Sequence, residues 1–302
     1  MASAAPLFKA TSVSKTGARP RPARRLPRRF FGRFWRNPVA MTGLVIVAVI
    51  AVIAVFAPVI APHDPDEQFR GRLLESPGQE FPLGTDHLGR DLLSRLAYGA
   101  RPSIGVAALA ILIIVSIAVA VGAWAGYAGG LMDDLAMRVV DVVLAFPGLV
   151  LTLAIIGILG PSLMTVIIGV TVVSWAGEAR LVRGLVLEVR ERGFVEAAVA
   201  IGGSRRHVVL RHVIPNIISP IIVLTSLEMG AIILSIAGLN FLGLGIQPPT
   251  AEWGAMLNQG RPFFQRAPEL MLYPGVMITL TVLGFNLLGD GLRDVFDPRY
   301  TR

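Results

Sequence analysis

Few residues in this chain have the types and the spacing that catalysis or metal binding requires. The 302 residues include no cysteine, which excludes disulfides, thiol catalysis and cysteine-based metal sites. The histidines are His63, His87, His207 and His212. His207 and His212 are five residues apart, and that spacing does not place both on one face of an α-helix. We therefore expect no metal site and no catalytic residue.

The lysines exclude a phosphate-binding loop. Lys9 and Lys15 are the only two, and neither follows a glycine, so the pattern G-x-x-x-x-G-K-[ST] cannot be formed. The patterns G-x-S-x-G and H-E-x-x-H, which mark a nucleophile elbow and a zinc site, are also absent from the sequence. We expect no cofactor on this chain. If ATP drives its activity, another polypeptide must hydrolyse it.

One polar segment has a pattern that indicates contact with a partner. Residues 193–216 read GFVEAAVAIGGSRRHVVLRHVIPN and lie between strongly apolar stretches. The glycine pair that begins at Gly202 predicts two short helices, 194–201 and 205–213, because glycine is a poor helix interior residue and a good terminator. Pro215 suits the first turn of the helix that follows. A small bent module of this kind can project from a membrane surface into a groove on a partner.

The elements that must carry this segment are membrane-spanning helices. The chain is 54% hydrophobic and only 16% charged, whereas soluble domains are about one quarter charged. Several apolar runs approach or exceed the roughly 20 residues that cross a bilayer, and six spans are predicted, of which the fourth is the shortest. They are residues 41–61, 104–127, 139–160, 162–175, 216–238 and 270–288. The sequence thus predicts an all-α, polytopic membrane protein with six transmembrane helices.

Two features within these spans predict local geometry. Gly122 and Gly126, with Gly130 extending the series, are spaced so that two helix backbones can approach closely in lipid. Pro147 is expected to kink the third span.

Glu228 is an acidic residue deep in the fifth apolar run. A carboxyl group in such surroundings is costly unless it faces protein or water. Glu228 is therefore a candidate for the translocation pathway. The alternatives are a carboxyl group that is paired inside the helix bundle or one that stays protonated.

The basic residues predict the orientation of the chain. Residues 1–36 hold ten Lys or Arg and no acid, a pattern that fits anionic lipid headgroups better than nucleic acid. With six spans, both ends lie on one side, and that side carries 21 of the 28 Lys and Arg residues. The positive-inside rule then places both termini and residues 193–216 in the cytoplasm.

The polar segment resembles the EAA loop of ABC-importer permease subunits. The matching residues are Glu196, Ala197 and Ala198, then Gly202 four positions later, and Pro215. In that family the loop docks on the ATPase subunit, so the resemblance implies the same contact for these five residues. Glu196 would offer a carboxylate for ion pairing or capping, the two alanines would keep the surface thin, and Gly202 would permit the bend.

Three further segments resemble the "C" permeases of dipeptide, oligopeptide and nickel importers. Residues 81–103 contain GTDHLGRDLLSRLAYGAR, residues 239–256 contain FLGLGIQPPTAEWGAM, and residues 284–299 contain NLLGDGLRDVFDPR. Two positions depart from the family pattern: Asn240 stands where serine is usual, and Ile236 stands where glutamate is expected. The second departure puts a carboxylate role at that position in doubt.

The charged residues of the first of these segments also have a structural interpretation. Asp86, Arg90 and Asp91 could be mistaken for catalytic groups. We expect them instead to form an internal ion-pair network that holds the loop together.

The resemblance implies a type I ABC-importer permease fold and a set of partners. These are a homologous second permease, two ABC ATPase subunits that bind ATP and Mg²⁺, an extracytoplasmic solute-binding protein and the lipid of the plasma or inner membrane. Nucleic acid is not expected. The function implied is half of a pathway for di- or oligopeptides that works by alternating access. Two alternatives stay open: the same machinery with nickel or another small solute, and a membrane scaffold without transport.

The domain organisation follows from the spans and the resemblance. We expect a basic, partly disordered cytoplasmic arm at residues 1–40, a first transmembrane helix at 41–61 and an extracytoplasmic loop at 62–102. A permease core of five transmembrane helices would occupy 103–302 and contain the cytoplasmic coupling loop, 193–216.

Overall fold

The fold of the described part of the chain is helical. The computed structural model describes residues 32–296. Most of the predicted basic arm and the last six residues lie outside this range, so what the sequence predicts for them stays a prediction.

The helices are α1 (Pro38–Val55), α2 (Ala57–Ile60), α3 (Leu92–Ala128), α4 (Gly130–Leu144), α5 (Gly148–Leu159), α6 (Leu163–Arg190), α7 (Gly193–Ala200), α8 (Arg205–Val208), α9 (Ile214–Phe241), α10 (Trp253–Gly260) and α11 (Glu269–Phe296). A π-helical turn, Val209–Val213, joins α8 to α9, and a short 3₁₀ turn, Arg261–Phe263, follows α10.

Six membrane spans can be assigned within residues 32–296. Five are long apolar helices: α1, α3, α6, the continuous stretch from α8 to α9, and α11. The sixth is the pair of α4 and α5, which together are apolar enough but meet at an angle of 82°. Pro147, the N-cap residue of α5, stands at this break, as the sequence predicted. The predicted all-α fold with six spans is confirmed.

The first span differs from the predicted range of 41–61. It begins earlier because the side chain of Asn37 caps α1, accepting hydrogen bonds from the backbone N–H of Val39 (2.9 Å) and Ala40 (3.1 Å). It ends at Val55, and a separate short helix follows because Pro58 has no N–H with which to continue the α1 hydrogen bonds. Arg101 of α3 donates to the carbonyl groups that this end leaves free.

The second span also begins earlier than predicted. The range 62–102 was expected to be a loop throughout, but α3 starts at Leu92. Asp91 caps it by accepting a hydrogen bond from the backbone N–H of Ser94 at 2.8 Å. The apolar pattern could not reveal this start, because the first turns of α3 are buried by other parts of the protein and contain arginine and serine.

Close contacts that glycine makes possible hold the spans together, and the first of them joins α3 to α6. A Cβ atom added at Gly122 of α3 would lie 2.5 Å from the carbonyl oxygen of Ala179 in α6, and one at Gly126 would lie 3.0 Å from that of Arg183. This confirms the predicted close approach. Gly130 does not extend the contact, because a Cβ atom there would meet nothing within 4 Å. The second contact joins α1 to α11 through Gly43 and Gly291.

We expect Gly122→Ala to lower the free energy of unfolding by about 1–3 kcal/mol, because the added methyl group must push α3 away from α6. Thermal unfolding of the purified protein in detergent measures this change. Gly105→Ala is the matched control, since Gly105 lies in the same helix and a Cβ atom there meets open space. An equal loss of stability in both variants would contradict the proposed role of the contact.

Candidate functional site

The predicted coupling segment places a short helix, α7, directly after the long span α6. The inner face of α7 is anchored, because Val195 and Ala198 are 1% and 7% exposed and join a buried apolar cluster with Val189, Val208 and Val213. This cluster spans the end of α6, α7 and the start of the next helical stretch. The packing fixes the direction in which α7 presents its other face.

The outer face of α7 combines a carboxylate with exposed apolar side chains. Glu196 and Ala197 are exposed, and so are Val199 and Ile201, at 51% and 87%. Phe194, at the beginning of the helix, is 42% exposed. Exposed apolar groups of this size beside a charged rim are typical of a protein contact. Of the two alanines, therefore, Ala197 faces outward, and Ala198 belongs to the anchoring face.

The end of α7 is a Schellman motif built on the glycine pair. Gly202 has a φ of +87°, a value that L side chains rarely adopt, and its N–H donates to the carbonyl oxygen of Val199 at 2.9 Å. Gly203 donates to the carbonyl oxygen of Ala198 at 3.0 Å. A Cβ atom at Gly203 would lie 2.6 Å from that same oxygen. Sequence reasoning treated Gly203 only as part of the helix break, yet it is the sterically constrained member of the pair.

The second predicted helix, 205–213, is wrong as a separate element. Ser204 caps α8 as its type suggests, accepting from the N–H of His207 at 3.3 Å. The chain then continues without a break through the π-helical turn into α9. Pro215 lacks an N–H and disfavours regular α-helical bonding to the turn before it, and the wider winding of the π turn accommodates it.

The π turn also brings together two histidines that the sequence analysis separated. The rings of His207 and His212 have centroids 5.8 Å apart in an edge-to-face arrangement. A π turn forms hydrogen bonds between residues five apart, so this spacing, which an α-helix would separate, becomes a contact.

A groove borders α7. It encloses about 430 Å³ between the end of α3, the end of α6 and α7. Arg190, Glu196 and Arg205 contribute charges to its lining, and Val195 and Val199 contribute apolar surface. Arg190 is held in place because its guanidinium donates to the carbonyl oxygen of Gly126 at 3.1 Å.

Glu228 lies midway along α9 and is partly buried. Within the described residues it has no ion-pair partner, so the alternative of a paired carboxyl group finds no support. Glu178 of α6 is close enough for the two charges to interact. The sequence analysis ended the fourth span at residue 175 and missed Glu178, because the apolar run weakens before this residue.

The segment 62–91 and the start of α3 are joined by buried charges. The Arg90 guanidinium donates to Asp86 at 2.6 Å and to Gln259 of α10 at 2.9 Å. Arg95 donates to the carbonyl oxygens of Pro65 and Pro249, which lie in the segments 62–91 and 242–268. Asp86 and Arg90 thus form the predicted internal network, whereas Asp91 contributes as a helix cap.

A second buried group locks α10 against α3. Trp253 is fully buried, and its indole N–H donates to the carbonyl oxygen of Leu96 at 3.0 Å. Burial raises the pKa of the neighbouring Glu252 carboxyl group, while hydrogen bonds from the Ala255 N–H (2.8 Å) and the Ser103 hydroxyl (2.9 Å) act in the opposite direction. Residues 62–91 and 242–268 therefore form one lid over the ends of the spans that lie opposite α7, defined here as the lid.

The two positions that depart from the family pattern lie in the interior. Ile236 is 2% exposed and packs in the main apolar cluster, which leaves no place for a carboxylate there. Asn240 is equally buried, and its side-chain oxygen accepts a hydrogen bond from the N–H of Ile246 at 2.9 Å.

A helical bundle of six spans with a short anchored helix between the fourth and fifth is the architecture of a membrane permease. Residues 118–302 match the family described as binding-protein-dependent transport system inner membrane component, and residues 26–77 match the N-terminal transmembrane domain of oligopeptide transport permease C. The chain belongs to the family of binding-protein-dependent transport system inner membrane components. It is a transmembrane subunit of an ABC importer of the peptide and oligopeptide type, with the type I importer permease fold.

The chain is similar to characterised permeases along most of its length. It is 43% identical over 271 residues to the glutathione transport system permease protein GsiD of Escherichia coli O1:K1, with 89% of each chain covered. The protein of the same name in Shigella sonnei (strain Ss046) matches equally. The dipeptide transport system permease protein DppC of Alkalihalophilus pseudofirmus is 42% identical over 272 residues, with 90% of each chain covered.

Proposed function

We propose that this subunit forms half of a translocation pathway for di- or oligopeptides and docks on an ATPase subunit through α7. One observation carries the proposal: α7 is anchored by Val195 and Ala198 and turns Glu196, Val199 and Ile201 outward. A helix that is rigidly attached on one side and apolar on the other fits a groove on a partner and transmits displacement to its anchor.

The proposed mechanism is alternating access driven by a separate motor. ATP and Mg²⁺ bind on two ATPase subunits, and their closure moves α7. Because α7 follows the end of α6 after two residues and shares a buried cluster with it, α6 moves as a rigid unit. Gly202 and Gly203 end α7 with defined geometry, so the same displacement reaches α9 through the stretch that contains Pro215.

The assembly we propose contains a homologous second permease and an extracytoplasmic solute-binding protein. Both termini and α7 lie in the cytoplasm, as the charge distribution favours, and the lid faces the binding protein. The exposed apolar side chains of α4 and α5 suit contact with lipid or with the second permease.

Glu228 is proposed to line the pathway. Its partial burial and its lack of an ion-pair partner in the described chain favour a position that faces water or cargo. Glu178 lies close to it and would add a second carboxyl group to the same stretch of the pathway.

We expect Ile201→Asp to remove the ATPase chains from the purified complex, because it places a carboxylate at the centre of an apolar contact. Ala198→Trp displaces α7 from its anchor, and Gly202→Glu strains a left-handed position, so both should abolish uptake while membrane insertion is retained. Co-purification and uptake in cells measure these effects.

The control for Ile201→Asp is Leu73→Asp, which makes the same kind of change at a 56% exposed residue of the lid. It should leave the ATPase chains bound. If Ile201→Asp retains them, α7 is not the docking element. If the unmodified protein purifies without any ATPase chain, the scaffold alternative is favoured.

The orientation can be tested with single cysteines, since the chain has none of its own. Ala200→Cys is exposed on α7, and Ser76→Cys is exposed on the lid. In intact cells, a membrane-impermeant maleimide should label position 76 only, and permeabilisation should be needed for position 200. Labelling of position 200 from outside would contradict the proposed topology.

The cargo proposal is tested by uptake with the matched binding protein. We expect labelled dipeptides, longer peptides or glutathione to be taken up in an ATP-dependent manner, with uptake competed by unlabelled peptide. Nickel, supplied to the same vesicles, is the alternative cargo. Uptake of nickel without competition by any peptide would replace the peptide assignment and leave the proposed machinery intact.

A further inference from the structure

An ion pair links α6, the helix directly before α7, to α4, a span that is not adjacent to α7 in the chain. Arg183 of α6 donates from Nε and Nη2 to the two carboxylate oxygens of Asp133 in α4, each at 2.6 Å. Asp133 is 7% exposed, and it lies in the first turn of α4, where a carboxylate also favours the helix dipole. Such paired bonds between a planar guanidinium and a carboxylate fix both distance and orientation.

Two further arginines of α6 reinforce this link. Arg190 donates to the last carbonyl groups of α3, and Arg180 pairs with Asp141 of α4. Together with the close contact at Gly122 and Gly126, they bind the half of α6 nearest α7 to the end of α3 and to α4. Asp133–Arg183 is the most buried of the ion pairs between α4 and α6, and solvent therefore weakens it least.

The position of the pair gives it a mechanical consequence. Arg183 lies seven residues before the end of α6, which is about 10 Å along the helix axis. The chain enters α7 after two further residues that follow the end of α6. In the other direction, α4 leads to the 82° break and then to α5. Displacement of α7 can therefore pass through α6 and across the ion pair into α4. It does not have to pass through α5, which connects α4 to α6 in the chain.

We propose that Asp133 and Arg183 are positioning residues that make α4 move together with α6, so that displacement of the docking helix reaches the bent α4–α5 span. This inference rests on the proposed function, in which α7 is the element moved by the ATPase. The pair stays closed throughout the transport cycle. Without it, α6 still follows α7, and ATP is hydrolysed with less movement of α4.

The first test measures cargo taken up per ATP hydrolysed, in the complete importer reconstituted in vesicles with its ATPase subunits and binding protein. Asp133→Asn keeps the shape and removes the charge, and we expect this ratio to fall at least five-fold. Arg183→Lys keeps the charge but cannot form both bonds, so an intermediate ratio is expected. Complexes are purified through a tag on this chain before reconstitution, so that unassembled ATPase subunits do not contribute to the ATP hydrolysed.

Asp134→Asn is the matched control. It makes the same change one residue away, at an exposed side chain that forms no ion pair in the described structure. The ratio should be unchanged. The exchanged pair Asp133→Arg with Arg183→Asp should recover at least half of the original ratio. An unchanged ratio in Asp133→Asn would overturn the proposal.

The second test asks whether the pair stays closed. Asp133→Cys and Arg183→Cys, introduced together into this cysteine-free chain, can be joined by a short bifunctional thiol reagent. We expect the unlinked variant to have a low ratio and the linked one to regain it. Loss of the remaining uptake on linking would show that the helices must separate, contrary to the proposal.

The two proposals can fail independently. If Ile201→Asp retains the ATPase chains, the docking assignment fails. If Ile201→Asp releases them while Asp133→Asn leaves the ratio unchanged, docking stands and the ion pair has no role in transmission.

Discussion

The close approach of α3 and α6 is the constraint on which the rest of the structure depends. Hydrocarbon chains offer no hydrophobic force that pushes helices together, so association in a membrane depends on packing and on polar contacts. Gly122 and Gly126 bring the backbones together, and Arg190 and Arg183 then reach the carbonyl groups and the carboxylate on the other side. The half of the bundle nearest α7 becomes one body, and α7 is attached to its end.

The opposite half is held by a different kind of interaction. There the lid uses buried arginines and a buried tryptophan to join segments that are more than 150 residues apart in the sequence. Arg90 and Arg95 satisfy their donors with Asp86, Gln259 and backbone carbonyl groups. The two ends of the molecule thus contrast: polar networks fix the end under the lid, while close backbone packing with a few arginine contacts fixes the end that carries α7.

The sequence predicted what depends on composition and local pattern. The lengths of the apolar runs predicted the six spans, and Pro147 predicted the bend. The spacing of Gly122 and Gly126 predicted a close helix contact. The start of α3 at Leu92 could not be predicted, because it depends on Asp91 as a cap and on burial under the lid. The same limit applies to the pairing of Asp133 with Arg183, since charge spacing along the chain does not indicate which helices lie side by side.

The coupling segment illustrates a finer limit. Its helix break was evident from Gly202 and Gly203, but the direction of each side chain was not. Ala198 and Ala197 are neighbours in the motif and face opposite ways, because one packs on α6 and α8 while the other does not. The roles of neighbouring residues in the motif therefore have to be assigned from their packing.

The π-helical turn before α9 has one consequence for the evolution of such segments. A turn of this kind holds one residue more than the α-helical turn it replaces, and one residue corresponds to about 100° of rotation in an α-helix. The surplus residue thus rotates Arg205 and Arg206 about the helix axis relative to the buried residues of α9. A single insertion or deletion in Val209–Val213 would turn Arg205 and Arg206 in a different direction. The residues of α9 would keep their present contacts.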